Sequence, residues 1–98
     1  VVIISGPGVS ERCELELPEL ETAHQVMKRA AQQCGFSYQW KKYASLGVFV
    51  DGLGGVMSDK SAGVYWIYYV NGTKANVGVS SYTIASGDEL LWKYEQEY

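Results

Sequence analysis

The alternation of apolar and polar residues at the start of the chain predicts a β-hairpin. Residues 1–5 are mostly β-branched and apolar, which favours a buried strand, and Gly-Pro-Gly at residues 6–8 is typical of a turn. Apolar and charged side chains then alternate over residues 11–17, as in a strand that is buried on one face only. Pro18 ends this strand. The first two elements are therefore expected to pair as a hairpin.

A helical pattern follows the hairpin. Thr22 and Gln25 have the spacing of a capping box, which places the first turn of a helix directly after Thr22. Gly35 is the expected left-handed residue at the helix end, with Phe36 as its apolar partner. One apolar stripe joins these two ends at helical spacing: Ala23, Val26, Met27, Ala30, Ala31 and Cys34. The stripe predicts a helix of about three turns with one buried face.

The chain after the helix has the patterns of β-structure. Residues 36–43 alternate, and residues 46–50 form a short apolar strand. The glycine-rich residues 51–55 predict a loop. Residues 64–70 form the longest apolar run, which favours a central strand that is covered on both faces.

Two turn motifs occur in the last third of the chain. Asn71-Gly72 predicts a type I′ turn that leads into a partner strand over residues 73–77. Ser86-Gly87-Asp88 predicts a second turn, and residues 89–94 predict the last strand.

This order of elements predicts an α+β fold in a single domain over residues 1–98. An N-terminal hairpin, a helix and then further β-hairpins are typical of one helix packed on a mostly antiparallel sheet. A hairpin followed by a helix and a return strand is the opening of a β-grasp-like roll. The fold class is therefore expected to be α+β and β-grasp-like.

Composition and charge exclude several classes of function. The chain has 98 residues and a net charge of −3, with no cluster of basic residues for a nucleic-acid backbone. No apolar run approaches the roughly 20 residues of a transmembrane helix. One His and two Cys exclude cysteine-rich metal centres, so we expect no metal site. The chain begins with Val1 and without a leader sequence, and we expect an excised domain or a processed mature chain.

The aromatic residues indicate a binding surface. The chain has eight Tyr and only two Phe, and a Tyr hydroxyl prefers water or a partner to an apolar core. In residues 64–70, Tyr65, Ile67 and Tyr69 share one face of the strand, and the alternate residues share the other. One face must cover the helix, so the second face is expected to meet another strand layer, a ligand or a partner.

The two cysteines have two possible states. Cys13 lies near the start of its strand and Cys34 at the end of the helix, so both thiols are expected at one pole of the fold and facing inward. A disulfide there would close a loop of about 20 residues, which is worth roughly 3 kcal/mol. The alternative is two buried free thiols that act as small apolar side chains. If the disulfide forms, it indicates an oxidising compartment.

No residue pattern indicates an enzyme. His24 is expected on the surface of the first helical turn, and no Cys or Ser nucleophile is placed near it by a motif. The carboxylates occupy alternating or terminal positions, which is typical of a solvated face. We therefore expect no catalytic residues and no enzymatic activity.

An ordered series of motifs carries a family resemblance. Tyr-Trp-Ile-Tyr-Tyr-Val-Asn-Gly at residues 65–72 is followed by Ala-Asn-Val-Gly-Val at 75–79, Gly-Asp-Glu-Leu at 87–90 and Trp-Lys-Tyr at 92–94. Upstream, Asp-Gly-Leu-Gly at 51–54 follows a short strand. The whole series resembles the transcobalamin-like C-terminal domain family (DUF4430), the small β domain of transcobalamin and intrinsic factor that also occurs in bacterial surface and secreted proteins.

The resemblance implies a site and a ligand. In that family the small β domain closes over cobalamin that is held against a larger α/α-barrel domain. Carried onto this chain by motif, the ligand-facing positions are Val48, Phe49, Tyr65, Trp66, Asn76, Val77 and Gly78. The α/α-barrel half is absent from this sequence, so the chain would supply at most half of a cobalamin site. The implied ligand is a corrinoid or another flat small molecule, with no covalently bound cofactor.

These features together predict a non-enzymatic, secreted or surface-displayed ligand-binding domain. Its partners are expected to be a small-molecule ligand or a companion domain or protein. The alternative is a cell-surface adhesion module, in which an edge strand or the Tyr-rich face meets a protein or a glycan without corrinoid binding.

Overall fold

The computed structural model describes residues 1–16, 20–44 and 47–96. Within those ranges the helix is α1 (Ala23–Cys34). The strands are β1 (Val2–Gly6), β2 (Val9–Cys13), β3 (Glu21–Thr22), β4 (Tyr38–Tyr43), β5 (Gly47–Leu53), β6 (Val56–Met57), β7 (Val64–Val70), β8 (Thr73–Lys74), β9 (Thr83–Ile84) and β10 (Leu90–Gln96). The predicted positions Leu17, Pro18 and Leu46 lie outside the described residues.

The strands form a main sheet and a small sheet. The main sheet has the order β2-β1-β10-β7-β8, in which β1 runs parallel to β10 and the other neighbours are antiparallel. The small sheet has the order β4-β5-β6 and is antiparallel. A short pair of β3 and β9 stands beside the start of α1. The domain is thus mostly β, with α1 packed on mixed and antiparallel sheets.

The last strand, β10, occupies the centre of the main sheet. The sequence favoured residues 64–70 as central; β7 does have a neighbour on each side, but the middle position belongs to β10, which lies between β1 and β7. Such a pairing joins the two ends of the chain, and alternation along one strand carries no information about it. The outward face of β7 is only half-buried, whereas its inward residues Trp66, Tyr68 and Val70 lie in the core.

Both ends of α1 are confirmed. The Gln25 backbone N–H donates to Thr22 Oγ1 at 3.2 Å, and the Thr22 N–H donates to Gln25 Oε1 at 2.9 Å, which is the predicted capping box. Gly35 has a φ of 75°, and its N–H donates to the Ala31 carbonyl. Phe36 then turns into the core. The local sequence therefore determines where the helix begins and ends.

The core lies between α1 and the inward face of the main sheet. The helix buries Ala23, Val26, Met27 and Ala30, and the Nε1–H of Trp92 donates to Met27 Sδ at 3.1 Å. The largest fully buried side chains are Trp92, Ile4, Met27, Leu53, Ile84, Leu90, Val2 and Cys13. Each large apolar side chain contributes about 1.5–3 kcal/mol by its burial. Phe36 and Trp92 are both buried in this core.

The strand β5 is longer than expected. The predicted loop at residues 51–55 is wrong for its first half, because β5 continues to Leu53 and only Gly54-Gly55 turn the chain. At Gly52 a Cβ atom would collide with Met57 Sδ, so the glycine leaves room for the Met57 side chain. A bulge opposite the Gln39–Trp40 step accommodates the buried Asp51, whose carboxylate lies 3.7 Å from Lys41 Nζ.

Two other strands are shorter than expected. The second strand ends at Cys13, and residues 14–16 have no strand pairing. The partner strand predicted over residues 73–77 is reduced to β8, because the chain turns away from β7 after one further hydrogen bond, from the Ala75 N–H to the Tyr68 carbonyl.

The two predicted turns are confirmed. Asn71 and Gly72 have φ values of 51° and 84°, the positive pair that a type I′ turn requires between paired Val70 and Thr73. The second turn closes with a hydrogen bond from the Asp88 N–H to the Ala85 carbonyl at 3.1 Å.

A disulfide joins Cys13 and Cys34. The Cα atoms are 6.0 Å apart across a sequence separation of 21, so the end of β2 is tied to the end of α1. Of the two states that the sequence left open, the structure has the bonded one. Cys13 is buried, but Cys34 is exposed and does not face inward as expected, because it lies on the last, solvated turn of α1.

The one helix within the described ranges is too short to cross a bilayer. It has 12 residues, or about 18 Å at the usual helical rise. No candidate membrane-spanning helix occurs in that part of the chain.

Candidate functional site

A shallow cleft opens between the start of β5, the start of β7 and the chain that follows β8. Its volume is about 510 Å³. The residues that line it are Tyr43, Gly47, Val48, Phe49, Lys60, Tyr65 and Gly78. Four of the seven positions that the resemblance implies lie in this lining: Val48, Phe49, Tyr65 and Gly78. We refer to this feature as the cleft.

An aromatic pair from two different sheets forms the wall of the cleft. Val48 and Val50 of β5 are buried, so Phe49 between them points outward. Tyr65 points outward from β7 for the same reason, because Trp66 next to it is buried. The rings of Phe49 and Tyr65 meet edge to face, with centroids 6.2 Å apart and an interplanar angle of 76°. Pairs of this kind contribute about 0.5–1.5 kcal/mol beyond their burial.

The rim of the cleft is the segment 75–80, which hydrogen bonds to β5, β7 and α1 hold in place. The Ala75 N–H donates to the Tyr68 carbonyl, the Tyr68 hydroxyl donates to the Val77 carbonyl, and the Val48 N–H donates to Ser80 Oγ. Asn76 is exposed, and Val77 is 48% exposed. These two predicted site residues therefore lie on the rim, next to Gly78, and do not line the cleft itself.

Trp66 lies on the opposite side of β7 from Tyr65. It is 5% exposed, and its indole Nε1–H donates to the Val56 carbonyl at 2.8 Å. Its six-membered ring rests on Gly6, where a Cβ atom would lie 2.4 Å away. A narrow slot of about 170 Å³ connects it to Val48, Phe49 and Gly78 of the cleft. Trp66 is thus mainly a core residue, and its contact with a ligand stays a prediction.

The edge of β7 is open beside this slot. On one side β7 pairs with β10 along its whole length. On the other side Val64 bridges to Asp59, and Tyr69 and Val70 pair with β8. Between these contacts, the described parts of the chain place no strand against Trp66. Unpaired backbone groups at a strand edge can donate to and accept from a bound molecule.

The cleft is mainly apolar and weakly cationic. Among the residues that line it, Lys60 carries the charge. Burial, and then the neighbouring Tyr82, raise the pKa of Tyr68 to about 12, so its hydroxyl stays protonated and continues to hold the rim. No group of three or more His, Cys, Asp or Glu side chains that could hold a metal occurs within residues 1–16, 20–44 and 47–96.

A second depression, which we call the groove, lies between α1 and β4. Its volume is about 660 Å³. Ala31, Phe36, Tyr38 and Trp40 contribute its apolar and aromatic surface. The polar residues that line it are Glu21, Gln25, Lys28, Arg29 and Gln32. The family resemblance assigned none of these residues to a ligand.

His24 connects the two walls of the groove. The sequence predicted a surface His, but His24 is half-buried, and its Nδ1 lies 2.8 Å from the Tyr38 hydroxyl. Its ring meets that of Trp40 at 76° with centroids 4.5 Å apart. Burial, and then Lys28, lower the pKa of His24, and burial raises the pKa of Tyr38. At neutral pH the imidazole is therefore neutral, and the tautomer of the ring decides which of the two groups donates in this hydrogen bond.

The sequence contained one indication of this contact. The alternation over residues 36–43 places Phe36, Tyr38 and Trp40 on one face of a strand, and that face meets the helix. The contact was missed because Tyr38 lies 14 residues beyond His24, and spacing along the chain does not pair a helix with a later strand.

A family model decides the relationship of this chain to known proteins. The model for a domain of unknown function, DUF4430, matches residues 21–96, from β3 to the end of β10. The chain belongs to the DUF4430 family. The predicted family is therefore confirmed, and the matched range contains the cleft, its rim and the groove. No curated protein matches the chain significantly.

Two solved structures show the same fold as this DUF4430 chain. One is a candidate metal-binding protein from Ruminococcus gnavus ATCC 29149, with a TM-score of 0.82 and 13% identity over 99% of this chain and 95% of that one. The other is haptocorrin in complex with Cbi, with a TM-score of 0.75 and 17% identity over 99% of this chain. The chain spans only 25% of the haptocorrin chain.

Proposed function

We propose that this DUF4430 domain is a non-enzymatic ligand-binding domain and that the cleft is its site. The observation that carries the proposal is the meeting of Phe49 and Tyr65 in an apolar depression that also contains Val48 and Gly78. Four positions implied by family resemblance thus come together from separate elements. Among residues 1–16, 20–44 and 47–96, no comparable group of side chains supports a catalytic role.

The chemistry of the cleft favours a flat and largely apolar ligand. Its volume of about 510 Å³ falls in the ordinary range of small-molecule sites, and such sites are lined mostly by apolar and aromatic side chains. The open edge of β7 and the exposed Asn76 amide would orient the polar groups of the ligand. Lys60 would favour a ligand with an anionic or strongly accepting group.

A corrinoid is the leading ligand. Haptocorrin, which has this fold in a quarter of its chain, was determined with cobinamide (Cbi) bound. The cleft is shallow and would cover only one side of a corrin ring. A companion domain or protein would then be needed to enclose the ligand, as the α/α-barrel does in the transcobalamin family.

We further infer a β-grasp-like fold. The hairpin of β1 and β2, the crossover through α1 and the return of β10 parallel to β1 support this assignment. We also place the domain outside the cell, secreted or displayed on a surface. The Cys13–Cys34 disulfide supports this location, because such bonds persist in oxidising compartments.

Spectral titration with cobinamide tests the proposed function. The corrinoid absorbance should shift saturably on addition of the domain, and Tyr65→Ala should weaken binding by about tenfold or more. Tyr69→Ala is the matched control, since Tyr69 lies on the same face of β7 but outside the cleft lining. The absence of any shift, or equal losses in both variants, would overturn direct corrinoid binding at the cleft.

The alternative function is an adhesion or protein-interaction module. It is favoured by the outward face of β7, where Tyr65, Ile67 and Tyr69 are only half-buried. Tyrosine-rich faces of this kind are common in protein interfaces. This function predicts that the two variants, Tyr65→Ala and Tyr69→Ala, weaken binding to a protein partner alike.

A further inference from the structure

The groove between α1 and β4 combines an exposed aromatic side chain with a row of polar side chains, and the cleft does not combine these two kinds of surface. Its floor contains Trp40, a large apolar residue that is 39% exposed. Its rim contains a row of polar side chains, with Glu21 from β3 and Gln25, Lys28 and Gln32 from one face of α1. At the usual helical rise the helical part of this row, from residue 25 to residue 32, extends for about 10 Å.

The exposed indole of Trp40 is held in one orientation. The ring of His24 meets it edge-on at 4.5 Å, and His24 is itself fixed by its hydrogen bond to Tyr38. The ammonium group of Lys28 lies 6.0 Å from the indole centroid. An exposed aromatic ring that its neighbours hold in place loses little conformational entropy when a ligand stacks on it.

The polar row discriminates among classes of ligand. Gln25 and Gln32 offer both donors and acceptors, Lys28 offers donors only, and the Glu21 carboxylate is paired with Arg29 at 3.1 Å. A wholly apolar ligand would leave this row without partners, which is costly once water is displaced. Because both signs of charge are present, the row does not select a simple anion or cation.

We propose that the groove is a second binding site and that its ligand is a neutral oligosaccharide stacked on Trp40. A pyranose ring has an apolar C–H face, which matches the indole, and hydroxyl groups at its edge, which donate and accept as the amide groups of Gln25 and Gln32 do. The length of the row accommodates more than one sugar ring. This site is independent of the cleft, because Trp40 and Phe49 occupy opposite faces of the small sheet.

Nuclear magnetic resonance titration with chitotriose, cellotriose and maltotriose tests the proposal. The domain has three Trp indole N–H groups to observe. At least one trisaccharide at millimolar concentration should shift the Trp40 indole and the side-chain amides of Gln25 and Gln32, while the buried Trp66 and Trp92 indoles stay unchanged. Absence of a Trp40 shift with all three sugars would overturn the proposal.

Two variants and one control locate the binding. Trp40→Ala should weaken the sugar by about tenfold or more. Gln32→Ala, on the exposed face of the helix, should weaken it by a smaller factor and serves if Trp40→Ala does not fold. Tyr43→Ala is the matched control, because Tyr43 is 41% exposed on the same strand but lines the cleft. Equal loss in the Tyr43 and Trp40 variants would overturn the assignment to the groove.

The same samples separate this proposal from the proposed function. Cobinamide should neither displace the sugar nor shift the Trp40 indole. Loss of sugar binding in Trp40→Ala supports the sugar site in the groove, whether or not the wild-type domain binds cobinamide at the cleft. If the wild-type domain binds cobinamide, Trp40→Ala should bind it equally well. Displacement of the sugar by cobinamide would instead place both ligands in one site and overturn the second site.

Discussion

The cleft and the groove lie on opposite faces of the small sheet, and they differ in what holds them together. The cleft rests on the core, since Val48 and Trp66 beside its aromatic wall are 8% and 5% exposed. The groove rests on surface residues, since Trp40 is 39% exposed and the side chains along its rim come from the solvated face of α1. The shape of the cleft therefore depends on folding, and the shape of the groove depends on local contacts.

This difference decides which residues can change without loss of the fold. The floor of the cleft cannot be altered without disturbing the packing that stabilises the domain. The floor of the groove can be altered at the cost of a few exposed contacts. Ligand specificity is thus easier to change at the groove than at the cleft.

The largest expected effect is on the free energy of unfolding, and it distinguishes Trp66 beside the cleft from Trp40 in the groove. Trp66→Ala removes a buried ring and its hydrogen bond to Val56, so the free energy of unfolding should fall by about 3–5 kcal/mol. Trp40→Ala should lower it by only about 1 kcal/mol or less. Urea unfolding followed by circular dichroism measures both. Similar losses in the two variants would contradict the distinction between a core-based cleft and a surface-based groove.

The next effect concerns the disulfide, which ties the helical wall of the groove to the main sheet. The double variant Cys13→Ala with Cys34→Ala should lose about 3 kcal/mol of stability in the chain-entropy account. Reductant should destabilise the wild-type domain and leave the variant unchanged. Sensitivity of the variant to reductant would show that another effect is responsible.

The smallest effect is the pH dependence of the groove. The pKa of His24 lies below its ordinary value of 6.5, so the unfolded chain binds the proton more readily than the folded one. The free energy of unfolding should therefore fall as the pH drops through 6.5, and it should level off below the folded-state pKa.

His24→Gln is the variant that isolates this titration, because His24 is the only His in the chain and the Gln amide offers both a donor and an acceptor to the Tyr38 hydroxyl. Urea unfolding at about pH 7.5 and about pH 5.5 provides the comparison. The variant should lose the part of the pH dependence that lies above pH 5.5. Identical pH dependence in both proteins would exclude His24 as its source.

The parts of the fold that could be predicted from sequence are those decided by neighbours along the chain. Thr22 and Gln25 cap the helix, Gly35 ends it, and Asn71-Gly72 forms its turn, each from a few adjacent residues. The placement of β10 beside β1 could not be predicted, because it is decided by packing between the two ends of the chain. The extension of β5 through Gly52 was missed because a glycine normally indicates a loop, whereas here it leaves room for the Met57 side chain.

The same distinction applies to the candidate sites. The family resemblance assigned Phe49 and Tyr65 to the ligand site from separate segments of the chain. Only the packing of β5 against β7 brings their rings together. The resemblance assigned both Tyr65 and Trp66 to the ligand site, although adjacent residues of a strand face opposite ways. The groove was not predicted at all, because its two walls lie on α1 and β4 and share no sequence motif.

The bond between Cys13 and Cys34 also changes what a protease can do to this domain. The 20 residues between the two cysteines include nearly all of α1. A single cut anywhere in that interval leaves both fragments covalently joined. The packed halves then separate only after reduction, so release of a fragment requires two different chemical events. On a gel without reductant, a nicked domain would migrate as an uncut chain.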